Sequence, residues 1–380
     1  MQKIPVAIIG GGLSGLYAAY LLEQQGIDYI LLEARDILGG RILSSKSLKD
    51  NDDNTDAKTG TTNNGDSFDL GPSWYWPAYQ QQLARLVDDL SLKSFAQFED
   101  GDMMVERSAI MSPVQSPGYQ SSPPSMRLVA GMSALIEALY SRLDSTRINT
   151  GHIVHQITHT GEHIEIGSKT AAGQTHIWQA EQVLLALPPR LAATNINFQP
   201  ALPVELATQW QTTATWMAPH AKYFAVYDTP FWREQGLSGE GRSAIGPLVE
   251  IHDASVQSSH GALFGFVGVP AASRQSVSTA VLKDYCRAQL VRLFGSEADA
   301  PIAEYLKDWA QDPFTATAAD AHSDGQHASA PMTKATAGVW ADCLTGIGSE
   351  WSRQFPGYVA GAVEAAGFGV ESLVGNLSKD

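Results

Sequence analysis

Three glycines, a carboxylate and a lysine carry the chemistry that residue type and spacing make available in this 380-residue chain. Gly10, Gly12 and Gly15 follow an apolar run and open an amphipathic stretch, and a second apolar run ends at Glu33. Strand, glycines, helix, strand and acid occur in the order of a βαβ unit that binds a dinucleotide. The first glycine permits the tight turn, the second lets backbone N–H groups approach a pyrophosphate, and the third lets the helix beginning near Leu13 pack close to the sheet. The phosphates then rest on a helix N-terminus beside Ser14, where unpaired N–H groups and the dipole favour anions. Glu33 stands where a carboxylate accepts hydrogen bonds from both ribose hydroxyls of an adenosine, which argues against a cofactor with a 2′-phosphate. Lys222 opens the run Lys222-Tyr-Phe-Ala-Val-Tyr227, in which a strand period places it on one face with Phe224 and Val226. An ammonium on that apolar side needs a partner or a lowered pKa. The same pattern also admits a strand-end lysine reaching out to water.

The elements that must position these groups are readable in outline. Gln80 to Leu90 has the period of an amphipathic helix, and Gly131-Met132 opens another through Leu143. Two alternating strands follow, around Ile153 to Thr158 and His163 to Gly167, then a buried strand from Gln182 that the prolines before Arg190 stop. The stretch from about 199 to 330 is richer in aromatic residues and strands. Short apolar runs return at Ala337 to Trp340 and Leu344 to Ile347, and Tyr358 to Ala366 reads as a helix of small residues, with Gly357, Ala360, Gly361 and Ala365 letting a backbone or a flat ring come close. Residues 44–67 hold almost nothing that can be buried and read as a polar hairpin excursion. Residues 112–125 and 321–331 read as loops at domain crossings. The predicted fold is α/β, with one domain assembled from residues 1–78, 131–198 and 331–380 and a second, α+β domain from 79–130 and 199–330.

Composition excludes several classes. With 44% hydrophobic residues the chain has material for a full core, and no apolar run approaches the ~20 residues that span a bilayer. Without a basic or apolar leader pattern, a cytoplasmic protein is expected. A net charge of −15 disfavours nucleic acid and anionic lipid and favours cationic small molecules. Cys286 and Cys343 lack metal or disulfide spacing and read as buried small hydrophobes. His155 and His159 fall in a β-patterned stretch where their spacing does not converge on a metal. His322 and His327 with Asp320 and Asp324 form a polar loop, so no metal site is expected.

Past the second strand, Ala34-Arg35-Asp36-Ile37-Leu38-Gly39-Gly40-Arg41 adds a second glycine pair and an arginine. This extension resembles the FAD-binding glutathione-reductase-like superfamily, in which Arg41 would add charge-assisted hydrogen bonds to the pyrophosphate. Further segments resemble the flavin monoamine oxidase family: LEARDILGGRI, DLGPSW, VAGMSALIEAL, VLLALPPRL, PFWREQGLSG, DWAQDPFTA and GSEWSRQFPGYVAGAVEAA. They run in the family's order from residue 6 to 366. The resemblance implies an FAD domain of the glutathione-reductase-like Rossmann type, an amine substrate, and dioxygen as electron acceptor. It implies cofactor contacts at Ala34, Arg35 and Gly40 and at Gly71, Pro72, Ser73 and Trp74. It further implies a backbone amide at Val154 holding adenine, Glu350 near the ribityl and phosphate region, and a helix N-terminus at Val359 directed at the flavin. Tyr358 would face the substrate with Trp309, and Lys222, spaced before Pro230-Phe231-Trp232 as in the family, would connect through water to flavin N5.

Departures from the family pattern are equally specific. Ala318 and Ala319 stand where some members carry a flavin-linking cysteine and a second cage tyrosine, so the FAD is expected to be noncovalent and the aromatic sandwich incomplete. The stretch from Trp76 to Gly131 is short, which implies a reduced helical part and a more open site. Two rival readings remain at this level: a flavin oxidase or desaturase of a non-amine, and a catalytically silent FAD-binding partner protein. The oligomeric state is left open.

Overall fold

The computed structural model describes residues 4–45, 67–256, 260–322 and 328–377. Residues 46–66 of the polar excursion, and Asp324 and His327 of the histidine loop, lie outside the described residues. The strands at the base of the excursion, Ser44–Ser45 and Phe68–Asp69, pair antiparallel.

Strand Ile4–Ile9, helix Leu13–Gln24 and strand Tyr29–Leu32 form the predicted βαβ unit. Ile4–Ile9 pairs parallel with Tyr29–Leu32 on one side and with the upper half of Thr175–Leu185 on the other. Ile148–Asn149 and Leu344–Gly346 extend this parallel core at its two sides. The lower half of Thr175–Leu185 instead pairs antiparallel with Ile164–Lys169, which pairs with Ile153–His159. One long strand therefore belongs to two ladders, a feature hidden in sequence because its polar first half does not read as buried.

Near-continuous Val, Ile and Leu in the central strands reflect helices or strands on both faces of the sheet. Leu16, Leu22, Leu135, Leu139 and Val363 form the core on one face, where helices Leu13–Gln24, Ser133–Tyr140 and Val359–Leu377 meet. Burying each of these aliphatic side chains stabilises the fold by about 1.5–3 kcal/mol. Helix Gln81–Asp89 adds Leu83, Leu86 and Val87 to this cluster, and Leu206 and Trp210 of helix Val204–Thr212 pack on the other face of the sheet. Both helices thus pack with the nucleotide-binding unit, although the sequence division places them in the second domain. The small-residue helix also runs further than predicted, to Leu377.

The second sheet has seven strands in the order Ala303–Asp308, Ala221–Tyr227, Gly261–Val267, Leu248–Asp253, Leu237–Ser243, Asp102–Glu106 and Val114–Ser116. Strand Ala221–Tyr227 is buried along its whole length. Tyr223, Ala225 and Tyr227 face helix Thr279–Phe294, while Phe224 and Val226 face Phe68 and Phe264 on the side of the first unit. Among the described residues no helix is long and apolar enough to cross a membrane, and no three His, Cys, Asp or Glu side chains gather as a metal site.

Candidate active site

A cavity of about 830 Å³ runs from the glycine turn to the buried face of the second sheet, lined at one end by Gly10, Gly12 and Glu33 and at the other by Lys222, Phe266 and Tyr358. At the first end the chain exposes backbone. Gly10 has φ +110°, and a Cβ there would strike the Ala186 carbonyl. A Cβ on Gly15 would run into the Gly10 carbonyl oxygen, so the third glycine sets how closely helix and strand approach and does not itself line the cavity. Gly12 lies beside Gly39 and Gly40 in a bridge between the two glycine segments. The helix that follows has no side-chain cap, which leaves its first N–H groups for an anion.

Glu33 is buried and already holds two backbone amides: Gly11 N donates to Oε2 at 2.6 Å and Arg35 N to Oε1 at 2.8 Å. Each carboxylate oxygen keeps a further lone pair, so the acid both closes the glycine turn and retains capacity for ribose hydroxyls. Arg35 lines the cavity beyond it. Its guanidinium donates to Asp312 at 2.5 Å and lies over the Phe314 ring, joining the nucleotide-binding unit to the second one. Burial works to raise the Asp312 pKa, but the adjacent Arg35 and Lys307 charges outweigh it and hold the carboxyl below its usual range. Ala34, His152 and Val154 complete this end, with the strand bulged between Val154 and Gln156.

Arg41 lines the middle of the cavity and is held from behind by a bidentate ion pair with Glu350 and by Ser349 Oγ at 3.0 Å. Glu350 is buried directly behind Arg41, one layer from the cavity wall. It aims Arg41. Ser14 lines the cavity while its hydroxyl donates to the Ile347 carbonyl, tying the phosphate-binding helix to the C-terminal segment. Gly40 is also in the wall. The small-residue helix contributes only Val359 and Ala362, because Gly361 packs against the Phe355 backbone.

At the far end the groups are side chains. Gly71, Pro72, Ser73 and Trp74 form a loop along the wall, with Trp74 Nε1 donating to Gln97 and its ring 4.9 Å from His252 and 5.4 Å from Phe264. Lys222 is 2% exposed and sits behind this loop, donating to the Asp69 and Gly71 carbonyls and to Ser73 Oγ at 2.7 Å. Its Nζ lies 4.0 Å from the centre of the Phe264 ring. Burial lowers the Lys222 pKa to about 7, the Asp69 carboxylate opposing and the Arg127 charge adding to the shift. Glu250, also in the wall, is held at about 2 by the His252 hydrogen bond, against the desolvation that burial imposes, with Arg242 also contributing.

Tyr358 is 37% exposed and meets Trp76 edge to face at 6.5 Å, both rings in the wall. The predicted partner, Trp309, is instead fully buried, donates from Nε1 to the Leu70 carbonyl, and is not a lining residue. It braces the loop that carries Ser73. Trp76 was readable in principle, since alternation in Trp74-Tyr75-Trp76 puts both tryptophans on one side of the chain. Glu250, Phe266 and Asp312 carry no such local signal.

Comparison with known proteins agrees with this geometry. The sequence matches the flavin containing amine oxidoreductase family over residues 107–368 and an NAD(P)-binding Rossmann-like domain over residues 8–90. It is 23% identical to a probable flavin-containing monoamine oxidase A of Dictyostelium discoideum, over 97% of each chain. It is 24% identical to a putrescine oxidase of Kocuria rosea, over 82% of this chain and 83% of that one. In structure it superposes on a putrescine oxidase bound to putrescine with a TM-score of 0.77 at 19% identity, covering 98% of this chain and 99% of that one. It superposes on cyclohexylamine oxidase from Brevibacterium oxydans with a TM-score of 0.78 at 17% identity, covering 99% and 100%.

Proposed function

The chain belongs to the flavin containing amine oxidoreductase family, an FAD-dependent enzyme family, and from that premise we propose that it oxidises a small amine to an imine with dioxygen as the electron acceptor. The residues present fit the cofactor. The glycine cradle that a Cβ would fill, the uncapped helix start and Glu33 suit an adenosine pyrophosphate, and Arg41 supplies charge midway along the cavity. FAD, when bound, would supply two-electron chemistry: the α C–H bond gives up a hydride equivalent, the nitrogen lone pair forms the C=N bond with loss of its proton, and dioxygen takes up the two electrons and two protons as hydrogen peroxide. The imine then hydrolyses to a carbonyl product and ammonia or an amine. Neither Cys286 nor Cys343 lines the cavity, which supports a noncovalent cofactor.

The observation that carries this reading is the meeting of a buried lysine and the Tyr358–Trp76 pair in the same cavity as the nucleotide cradle. An amine must enter unprotonated and present its α C–H at near-attack distance. The aromatic walls favour the neutral form by removing water, and the two rings fix its orientation. The net charge of −15 raises the local concentration of ammonium-bearing ligands before they lose a proton, while Glu250 in the wall is engaged by Arg242 and His252. Lys222, next to the cavity and poised between charge states, acts on the proton and oxygen chemistry there. Oxygen consumption and peroxide release with a panel of primary, aromatic and polyamine substrates test the proposal. Turnover of any of them with stoichiometric peroxide is expected; uptake of oxygen only with a non-amine would assign the site to a different oxidation.

A further inference from the structure

The surroundings of Lys222 Nζ are asymmetric in a way that bears on how the lysine reaches the cavity. Its partners are two carbonyl oxygens, of Asp69 at 2.8 Å and Gly71 at 3.0 Å, and one hydroxyl, of Ser73 at 2.7 Å. An ammonium has three N–H donors and no lone pair, so three acceptors satisfy it completely. With Cε as the fourth substituent, the tetrahedral nitrogen then has no direction left for a water or any other cavity group. A neutral amine has two N–H donors and one lone pair. Carbonyl oxygens only accept, so of the three partners Ser73 alone can turn round and donate.

We propose that the Ser73 hydroxyl is the positioning group through which Lys222 presents its proton state to the cavity. With Lys222 charged, Ser73 accepts from Nζ and aims its own hydrogen into the cavity. With Lys222 neutral, the hydrogen bond reverses and Ser73 offers the cavity an oxygen lone pair. The inference rests on the FAD reading of the site and sharpens it, because a link from Lys222 to the flavin then runs through a fixed protein hydroxyl.

Placement supports the relay. Ser73 is 5% exposed yet lies in the cavity wall beside Lys222, while the rings of Phe264, Phe224 and Phe266 stand around Nζ with their centres 4.0, 5.1 and 5.8 Å from it. The charged groups that face Lys222 come from every side. They are the Asp69 carboxylate and the Arg127 guanidinium behind it, Lys307 in register on the neighbouring strand, and Glu250 with its partner His252 beyond Phe266. Burial brings Lys222 to about 7, so both hydrogen-bond directions are populated in ordinary buffers.

The test needs no substrate. Holoenzyme containing lysine labelled with carbon-13 at Cε is titrated with base while the bound-flavin absorbance and the Lys222 resonance are followed, the resonance being assigned with Lys222→Met. In the native protein the flavin spectrum is expected to shift with the same midpoint as the resonance. In Ser73→Ala the resonance should still titrate while the spectral step is lost, and Ser73→Thr should restore the step. If Ser73→Ala does not retain FAD, Ser73→Cys replaces the hydroxyl by a weak donor and should shrink the step. A full-sized step in Ser73→Ala or Ser73→Cys, or a native flavin spectrum that stays fixed while Lys222 titrates, would overturn the proposal. Because no amine is added, such a failure leaves the amine-oxidation reading standing, and inertness toward amines would leave the relay standing.

Discussion

At the nucleotide end the cavity is walled by the backbone of Gly10, Gly12, Gly39 and Gly40, joined by Glu33, with Gly15 setting the helix approach behind them. At the reactive end the wall is made of side chains from separate segments: Ser73, Trp76, Lys222, Glu250, Phe266 and Tyr358. The first end is specified by conformations that glycine alone adopts and by close approaches that a Cβ blocks. The second is specified by which strands the topology lays side by side. Damage at the first end should therefore remove the cofactor and the fold together, whereas damage at the second should alter chemistry in a protein that still binds FAD.

Gly15→Ala should show the largest effect, because its Cβ meets the Gly10 carbonyl and neither backbone can yield. A destabilisation of about 3 kcal/mol or more and loss of flavin colour are expected, read by thermal melting and by flavin absorbance per protein. Native stability and flavin content in the Gly15→Ala variant would break the contrast between the two ends.

Glu350→Gln comes next. Removing one member of a buried ion pair leaves Arg41 uncompensated and should cost about 3 kcal/mol. Burial alone would raise the Glu350 pKa, but the Arg41 charge and hydrogen bonds leave it lowered overall. A carboxyl lowered in the fold stabilises above its unfolded pKa and loses that contribution as pH falls through its folded value. The gap between native and variant denaturation midpoints should therefore close on acidification.

Lys222→Met should spare FAD binding and slow flavin reduction or reoxidation by about a hundredfold, as stopped-flow spectra would report. Unchanged rates would remove Lys222 from the chemistry. Its stability effect has the same pH sense as that of Glu350, because the fold lowers both pKa values, but here the fold favours the neutral form of the group and not the charged one. Lys222 titrates at about 7 in the fold and at about 10.4 when unfolded, so between those values the unfolded chain binds the extra proton. Native stability relative to Lys222→Met should rise with pH across that window.

The smallest expected change is Trp76→Leu, which removes the edge-to-face partner of Tyr358. A loss of about 1 kcal/mol in kcat/KM for an aromatic amine, with normal FAD content, is expected from steady-state kinetics.

The same contrast explains what the amino-acid sequence discloses. The βαβ unit is local, so Gly10, Gly12, Gly15 and Glu33 are legible in order and spacing, and Arg41 follows from its glycine neighbours. Lys222 is legible through strand alternation, since Phe224 and Val226 do share its apolar side. The setting of Trp309 is not legible, because a tryptophan next to a family motif does not disclose whether its ring faces the cavity or, as here, the Leu70 carbonyl. The pairing of Glu350 with Arg41 is likewise not disclosed by local spacing. Glu250 and Asp312 reach the site through sheet order and an ion pair with Arg35, and neither leaves a trace in local spacing.

Anaerobic titration of the purified holoenzyme with a panel of primary, aromatic and polyamine substrates, following the visible flavin band, tests the central claim most directly. Bleaching by at least one amine, with peroxide formed when air is readmitted, is the predicted result. A flavin that dithionite bleaches but no amine does would contradict amine oxidation and leave the fold with a non-amine or silent role.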